Sequence, residues 1–257
     1  MWSAAWISLI ALRRRCGKAI EKTAAHIRHT STDKFAYTAR AIAGTALLAL
    51  PLPVLIGSLS WALERNPTAS DWLLGLSQGL RWSFYISLWV NFLVVACRPG
   101  GLGIAHFGWH AAHTNRLRRL LYVSMLVGLP VLVIICCLLF EQNSLYLDWV
   151  GQLFYLGLQF WIFMALWQIF SANSGIFADA MKAHPQRLFI RTQPLWFPLL
   201  LSCPIMLMIL AIKGYFVTAM VLSLQFVASL GIATLGSFCY FSVVRWFIIR
   251  ERKLALI

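Results

Sequence analysis

The segment LLYVSMLVGLPVLVIICCLLF, residues 120–140, is 21 residues long and contains no Asp, Glu, Lys or Arg. A stretch of about 20 apolar residues is long enough to cross the roughly 30 Å hydrocarbon layer of a bilayer as an α-helix. Lipid cannot hydrogen-bond a free backbone N–H or C=O group, so a segment of this kind must be helical inside the membrane. The segment therefore predicts a membrane-spanning helix.

Five further apolar segments lie on either side of it. They cover residues 42–63, 72–96, 149–170, 195–212 and 215–244, and none of them contains Asp or Glu. The composition agrees, because 60% of the 257 residues are hydrophobic and only 12% are charged. The fold class predicted is all-α, a polytopic membrane protein with about seven membrane segments, the first of them truncated.

The truncated segment is MWSAAWISLIAL, residues 1–12, which is too short to cross a membrane alone. In a secretory signal the positive charges precede the apolar run, whereas here Arg13, Arg14 and Arg15 follow it. We interpret the segment as the cytoplasmic half of a helix whose beginning is missing.

The distribution of Lys and Arg predicts the topology. The connections at 13–34, 97–119 and 171–193 and the tail from Arg245 carry eighteen of these residues, and the three intervening loops carry two. Lys and Arg next to membrane spans stay on the cytoplasmic side. We therefore expect a multi-pass protein of the bacterial inner membrane, with its N-terminus on the periplasmic side and its C-terminus in the cytoplasm.

Several classes of function are disfavoured. The net charge of +14 is spread over the cytoplasmic loops and not over a folded basic domain, which argues against a nucleic-acid partner. The eight acidic residues lie in or beside loops, with no pair placed for acid–base catalysis, so we do not expect an enzyme. No motif for a cofactor is present, and the six cysteines form no C-x-x-C pair.

Three prolines recur at one offset along the chain. Pro51, Pro130 and Pro204 each follow a basic or polar residue, Arg40, Arg119 and Gln193 respectively, by 11 positions. This spacing predicts helical hairpins repeated in the same orientation. Secondary transporters often show inverted repeats, so the alternative of a multi-pass small-solute transporter is weakened but stays open. Because proline removes a helical hydrogen bond, we expect a hinge at each of the three.

Four motifs in order carry a family resemblance. STDKFAYTARAIAGTALLALPLPVL at 31–55 is followed by CRPGGLGIAHFGWH with NRLRRLLY at 97–122, GYFVTAMVL at 214–222 and VVRWFIIRERKLAL at 243–256. Together they resemble the inner-membrane region of the large MscS-type mechanosensitive channels, of the KefA/MscK and MscM kind. The resemblance covers essentially the whole chain.

The resemblance implies a function. In that family a large periplasmic domain precedes this region, and a pore helix and a cytoplasmic β-domain follow it. The expectation is that residues 1–257 form a single transmembrane domain without pore helix or β-domain. Its role would be to sense membrane tension for an ion channel active in osmotic protection. The partners would be membrane lipids and further copies of the protein, joined through the missing pore region.

The segment between the second and third spans contains His106, His110 and His113, which would lie on one face of a helix. Three imidazoles on one face could hold zinc, but no carboxylate occurs between Asp71 and Glu141 to support such a site. With Phe107 and Trp109, the segment is better interpreted as a short helix lying in the membrane interface, and no metal site is predicted.

Arginines near the predicted membrane surface are candidates for anchoring lipid headgroups, because their side chains can extend along the apolar layer to reach phosphate. They are Arg13, Arg14, Arg15, Arg40, Arg116, Arg118, Arg119 and Arg250. Arg81 lies deeper in its span, where an unpaired charge is costly. We favour an Arg81 side chain that reaches the outer interface beside Trp82, with a lipid phosphate bound between helices as the alternative.

Overall fold

The structure is a computed structural model, and it describes residues 35–66, 70–141, 147–171, 175–178 and 188–254. In chain order its helices are α1 (Phe35–Ala49), α2 (Pro51–Glu64), α3 (Asp71–Ala96), α4 (Ala111–Phe140), α5 (Gln152–Phe170), α6 (Leu188–Arg191), α7 (Gln193–Ile212) and α8 (Phe216–Leu254). Single π-helical turns lie at Leu102–His106 and Leu147–Gly151. Within these ranges the structure contains no β-strand.

Five of the helices are long and apolar enough to cross a membrane, and the bent pair α1 and α2 makes a possible sixth span. Each of the six apolar segments identified in the sequence lies on one of these elements. The prediction of an all-α polytopic membrane protein is confirmed. The truncated first segment, residues 1–12, lies outside the described residues.

Three span boundaries differ from the prediction by more than a helical turn. Helix α1 begins at Phe35 and not at residue 42, α4 begins at Ala111 and not at residue 120, and α8 continues to Leu254 and not to residue 244. Hydropathy marks where a helix leaves the lipid, whereas the backbone hydrogen bonds continue as long as the residues favour a helix. Arg is a good helix former, and the extensions of α4 and α8 contain three arginines each.

The span predicted at residues 42–63 is broken between α1 and α2, which are bent by 44°. Pro51 has no N–H group and its ring clashes with the carbonyl four residues earlier, which interrupts the helix. Pro53 likewise cannot donate to the Ala49 carbonyl. Asn91 of α3 supplies the missing donor, because its Nδ2 lies 2.6 Å from the Ala49 oxygen. A side chain of one helix thus satisfies the backbone of the break in another.

The chain divides into two compact units. The first is formed by the described residues of Met1–Ile56, Phe84–Tyr122 and Leu230–Ile257, and the second by those of Gly57–Ser83 and Val123–Ser229. The core of the first unit contains Ala41 of α1, Leu93 and Ala96 of α3, Leu102 of the first π turn and Phe238 of α8.

In the second unit α3 and α4 approach each other closely at two glycines one turn apart. A Cβ atom on Gly79 would lie 2.8 Å from the Cα atom of Val133, and one on Gly75 would lie 2.8 Å from the Cys136 carbonyl oxygen. Small residues four apart allow the backbones of membrane helices to touch. Gly75 and Gly79 therefore set the distance between these two spans.

The deep arginine, Arg81 of α3, is paired. Its guanidinium contacts the carboxylate of Glu64, the last residue of α2, and both side chains are more than a third exposed. In the same unit Ser60 donates a hydrogen bond to the Ser77 carbonyl, 2.8 Å away. The predicted span ends at residue 63, which placed Glu64 in a loop, so no acidic partner was expected for Arg81. Partial exposure makes this ion pair worth about 1 kcal/mol or less in an aqueous environment.

Candidate functional site

The connection between α3 and α4 is a compact elbow, residues 97–110. Gly100 and Gly108 have φ angles of +71° and +68°, which residues with a side chain rarely adopt, and they bound the first π turn. Leu102 at the start of this turn is completely buried. The expected short helix is present only as this single π turn, because the chain between Phe107 and His110 is irregular and α4 begins only at Ala111. Its location in the membrane interface stays a prediction.

Aromatic side chains fix the elbow to α8. The ring centroids of Trp109 and Phe238 are 5.6 Å apart, and those of Phe107 and Phe241 are 5.7 Å apart. A Cβ atom on Gly103 would lie 2.7 Å from the Trp109 ring, so this position needs glycine for the indole to fit. Aromatic pairs at such distances add about 0.5–1.5 kcal/mol each beyond their buried area. The elbow is therefore held against the last membrane helix.

The spacing of the three elbow histidines predicted that they would lie on one face of a single helix, but they lie on different elements. His106 ends the π turn, His110 precedes α4, and His113 lies in the first turn of α4. The rings of His110 and His113 are 5.2 Å apart. Across the described ranges no three side chains of His, Cys, Asp or Glu are grouped closely enough to hold a metal ion.

The arginines predicted to anchor headgroups are spread over several elements. Arg40, Arg116 and Arg119 are exposed, Arg118 is half-buried, and Arg250 stacks on the Trp246 ring at 4.9 Å. Arg13, Arg14 and Arg15 lie outside the described residues. Their role in anchoring lipid stays a prediction.

One buried thiol lies directly after α3. Burial raises the pKa of Cys97 to about 11, and the nearby positive charge of Arg118 opposes this shift only in part. Because the thiolate is the reactive form, Cys97 is protonated and unreactive at neutral pH.

The three predicted hinge prolines have different surroundings. Pro51 begins α2 at the 44° bend, whereas Pro130 and Pro204 lie inside the continuous helices α4 and α7. Pro130 is exposed and Pro204 is buried. Motion at these positions stays a prediction.

Helices α5 and α7 are joined at both ends by glutamines. Gln152, the first residue of α5, donates from Nε2 to the Ala211 carbonyl near the end of α7, at 3.0 Å. Gln193, the first residue of α7, donates to the carbonyl of Phe170 at the end of α5, at 2.8 Å. The last carbonyls of a helix have no N–H partner within it, so Gln193 completes the C-terminus of α5. Gln152 adds a second donor to the Ala211 carbonyl, which also accepts from the Gly214 N–H at 3.0 Å.

A buried polar cluster joins α5 to α8. The Tyr155 hydroxyl donates to the Ala219 carbonyl at 2.9 Å and lies 2.6 Å from Ser223 Oγ. Gln159 Nε2 donates to the same Ser223 Oγ at 2.6 Å. The exposed fractions of Gln159, Tyr155 and Ser223 are 0%, 1% and 8%. We call Tyr155, Gln159 and Ser223 the polar cluster.

Neither the glutamine pair nor the polar cluster was found from the sequence. The signal available was the presence of glutamine within otherwise apolar spans, at positions 152 and 159, two turns apart on one helix. Which helix carries their partners depends on packing that hydropathy does not encode.

Comparisons with known proteins agree with the helical architecture. The family model of the mechanosensitive ion channel inner membrane domain 1 matches residues 2–257. The miniconductance mechanosensitive channel MscM of Escherichia coli (strain K12) is 26% identical over 246 residues, which are 95% of this chain. The chain spans 22% of the length of that relative. No solved structure matches the chain significantly. Nothing in these comparisons supports a transporter.

Proposed function

The chain belongs to the family of the mechanosensitive ion channel inner membrane domain 1, and from this membership we propose that it senses membrane tension for an MscS-type ion channel. The observation that carries the proposal is the family match along residues 2–257. The chain is a multi-pass inner-membrane protein of a channel family, which is not a class of enzymes. We propose that it has no catalytic activity of its own, and that the sensing serves ion efflux under osmotic stress.

The exposed surface of the spans supports a response to the bilayer. Large apolar side chains on three of the helices face outward, with exposed fractions of 69% for Leu126, 71% for Leu153 and 75% for Leu195. Lipid would contact these side chains directly, so a change in lateral pressure acts on the helices themselves. Tension favours whichever arrangement occupies more membrane area, in the way that a ligand favours the state it binds better.

The orientation and partners are part of the proposal. The excess of Lys and Arg in the connections at 13–34, 97–119 and 171–193 favours a cytoplasmic location for them, with the N-terminus on the periplasmic side. The anchoring arginines would hold the cytoplasmic ends of the spans at the headgroups. Residues 1–257 would act as one transmembrane domain within a homo-oligomer assembled through a pore region.

The prolines supply candidate positions for bending under tension. Pro51 lies at the bend between α1 and α2, while Pro130 and Pro204 each remove one hydrogen bond from a continuous helix. Bending at these positions would let the spans tilt without unfolding.

The experiment measures a distance within the chain while tension is applied. A ketone-bearing amino acid is placed at Leu153 of α5 and Val217 of α8, both exposed, so that spin labels are attached without using the native cysteines. The labelled chain is reconstituted into liposomes, and lysolipid is added to one leaflet to raise tension. We expect pulsed electron paramagnetic resonance to show a second, longer distance above a threshold of lysolipid.

An unchanged distance distribution at every lysolipid concentration that leaves the liposomes intact would contradict tension sensing. In the same assay Pro130→Ala should shift the threshold if Pro130 is a hinge. A threshold equal to that of the wild type in all three proline-to-alanine variants would show that the prolines only contribute to packing.

A further inference from the structure

The polar cluster joins two candidate membrane spans and is almost completely buried in the protein, so water does not compete for its hydrogen bonds. Tyr155 and Gln159 of α5 both contact Ser223 of α8, at 2.6 Å in each case. Ser223 Oγ also lies 2.7 Å from the Ala219 carbonyl of its own helix, but a hydroxyl has one proton, so with Tyr155 donating to that carbonyl the Ser223 hydroxyl donates to the Tyr155 oxygen. Hydrogen bonds between membrane helices stabilise the contact of the two helices. The cluster therefore favours the arrangement in which α5 contacts α8.

Hydrogen bonds are directional and short-ranged, which makes this contact discrete. A bond of 2.6–2.9 Å is lost once its atoms separate beyond about 3.5 Å. A separation of α5 from α8 by about 1 Å along these bonds is enough to break the three that cross between the helices. Apolar contacts weaken more gradually over the same displacement, so the polar cluster is the part of this interface that is either formed or broken.

The cluster is also incompletely satisfied. Among the residues that the structure describes, no donor reaches the second amide atom of Gln159, Oε1, although this side chain is completely buried. A buried acceptor without a partner destabilises the closed contact, because it has lost its hydrogen bonds to water. This cost opposes the bonds made by Gln159 Nε2 and Tyr155, so the closed contact holds α5 to α8 with a limited net free energy.

From this geometry we infer that Tyr155, Gln159 and Ser223 form a latch between α5 and α8 that sets the tension at which the chain changes conformation. The inference rests on the proposed function and assigns its threshold to three residues. Below the threshold the latch holds the smaller membrane area. Above it the gain in area exceeds the free energy of the bonds, and α5 separates from α8.

The test uses the spin-label pair at Leu153 and Val217 in the full chain, with variants that remove single hydrogen-bonding groups. Tyr155→Phe deletes only the hydroxyl, and Ser223→Ala deletes the shared Oγ. Ser229→Ala is the matched control, because Ser229 Oγ likewise lies close to the carbonyl four residues earlier, at 2.9 Å, but the residue faces outward on α8. Helix content and the distance at zero tension verify that each variant is folded.

We expect Tyr155→Phe and Ser223→Ala each to raise the ratio of separated to closed chains at a given lysolipid concentration about eightfold, which corresponds to the loss of two bonds of about 0.6 kcal/mol each between α5 and α8. Ser229→Ala should match the wild type. In the double variant the ratio of separated to closed chains should rise by less than the product of the two single-variant factors, since both substitutions remove the Tyr155–Ser223 contact.

The outcomes separate the latch from the proposed function. If the wild type responds to tension and all three single variants respond at its threshold, the latch is wrong and tension sensing stands. If the wild type never responds, both are wrong. If Tyr155→Phe fails to fold, Ser223→Ala against Ser229→Ala decides the question alone.

Discussion

At the scale of single residues, the molecule is shaped by backbone groups that helical hydrogen bonding cannot satisfy. Ala49 lies before the bend between α1 and α2, and the residue that would donate to its carbonyl is Pro53, which has no N–H. Asn91 of α3 donates instead. In hydrocarbon an unsatisfied carbonyl costs several kcal/mol, so this one side chain stabilises the break.

The contribution of Asn91 can be measured with a double-mutant cycle. Asn91→Leu should lower the free energy of unfolding by about 1–3 kcal/mol, because the Ala49 carbonyl loses its donor. In a Pro53→Ala background the new N–H can serve that carbonyl, as the neighbouring Val54 N–H already serves Leu50 at 2.9 Å. The same Asn91→Leu substitution should then cost less than about 0.5 kcal/mol.

The measurement is loss of helical circular dichroism in mixed dodecylmaltoside and dodecyl sulfate micelles. An equal cost of Asn91→Leu in both backgrounds would show that Asn91 acts through packing and not through the Ala49 carbonyl.

At the scale of helices, α5 and α7 form a pair connected at both ends. The bonds from Gln152 to Ala211 and from Gln193 to Phe170 are separated by nearly the whole of α5, which is about 28 Å for 19 residues. At this distance the loss of one hydrogen bond is not expected to change the strength of the other. Because Tyr155 and Gln159 of the polar cluster also lie on α5, hydrogen bonds link α7 to α5 and α5 to α8.

Gln152→Met and Gln193→Met should each lower the free energy of unfolding by about 0.6–1.7 kcal/mol, since each removes one hydrogen bond between membrane helices. The double variant should equal the sum of the two within about 0.5 kcal/mol, as expected for distant sites. Gln225→Met is the control, because Gln225 is exposed on α8. A cost for Gln225→Met as large as the other two would mean that glutamine acts here through the solubility of the chain and not through these contacts.

Most of the membrane helices could be predicted from the sequence, because a segment that crosses the bilayer must be apolar in composition. Six apolar segments without Asp or Glu had to be helices, and each lies on a described helix. The start of α4 and the end of α8 were not predicted. Both helices continue beyond their apolar segments, where hydropathy no longer indicates a helix. The shape of the elbow was not predicted either, because it depends on Trp109 packing against Phe238, far away in the sequence.

Residue contacts were the least predictable. The pairing of Arg81 with Glu64 could be predicted only with the knowledge that α2 extends to Glu64. The polar cluster could be predicted only with the knowledge that α8 lies beside α5. The prolines were identified, but only the bend at Pro51 is visible as a broken helix.

At the scale of the whole molecule, the distribution of basic residues predicts the orientation. With native cysteines replaced, single cysteines at residues 66–70 and 142–147 should react with a membrane-impermeant maleimide added from the periplasmic side. Cysteines at 111–114 and 180–183 should react only after the membrane is permeabilised. Periplasmic labelling at 111–114 would reverse the orientation and remove the cytoplasmic anchoring role of the arginines.

The central claim is that this chain confers sensitivity to membrane tension on a channel. The most direct measurement is made on a chimera in which this chain replaces the matching 246 residues of the E. coli relative. Patch-clamp recording under graded suction should show stretch-activated currents with the conductance of that relative, and Tyr155→Phe in the chimera should lower the activating pressure while Ser229→Ala does not. The claim would be contradicted if the chimera, its two variants and a channel lacking the segment all opened at the same pressure. Tension would then be sensed by another part of the channel.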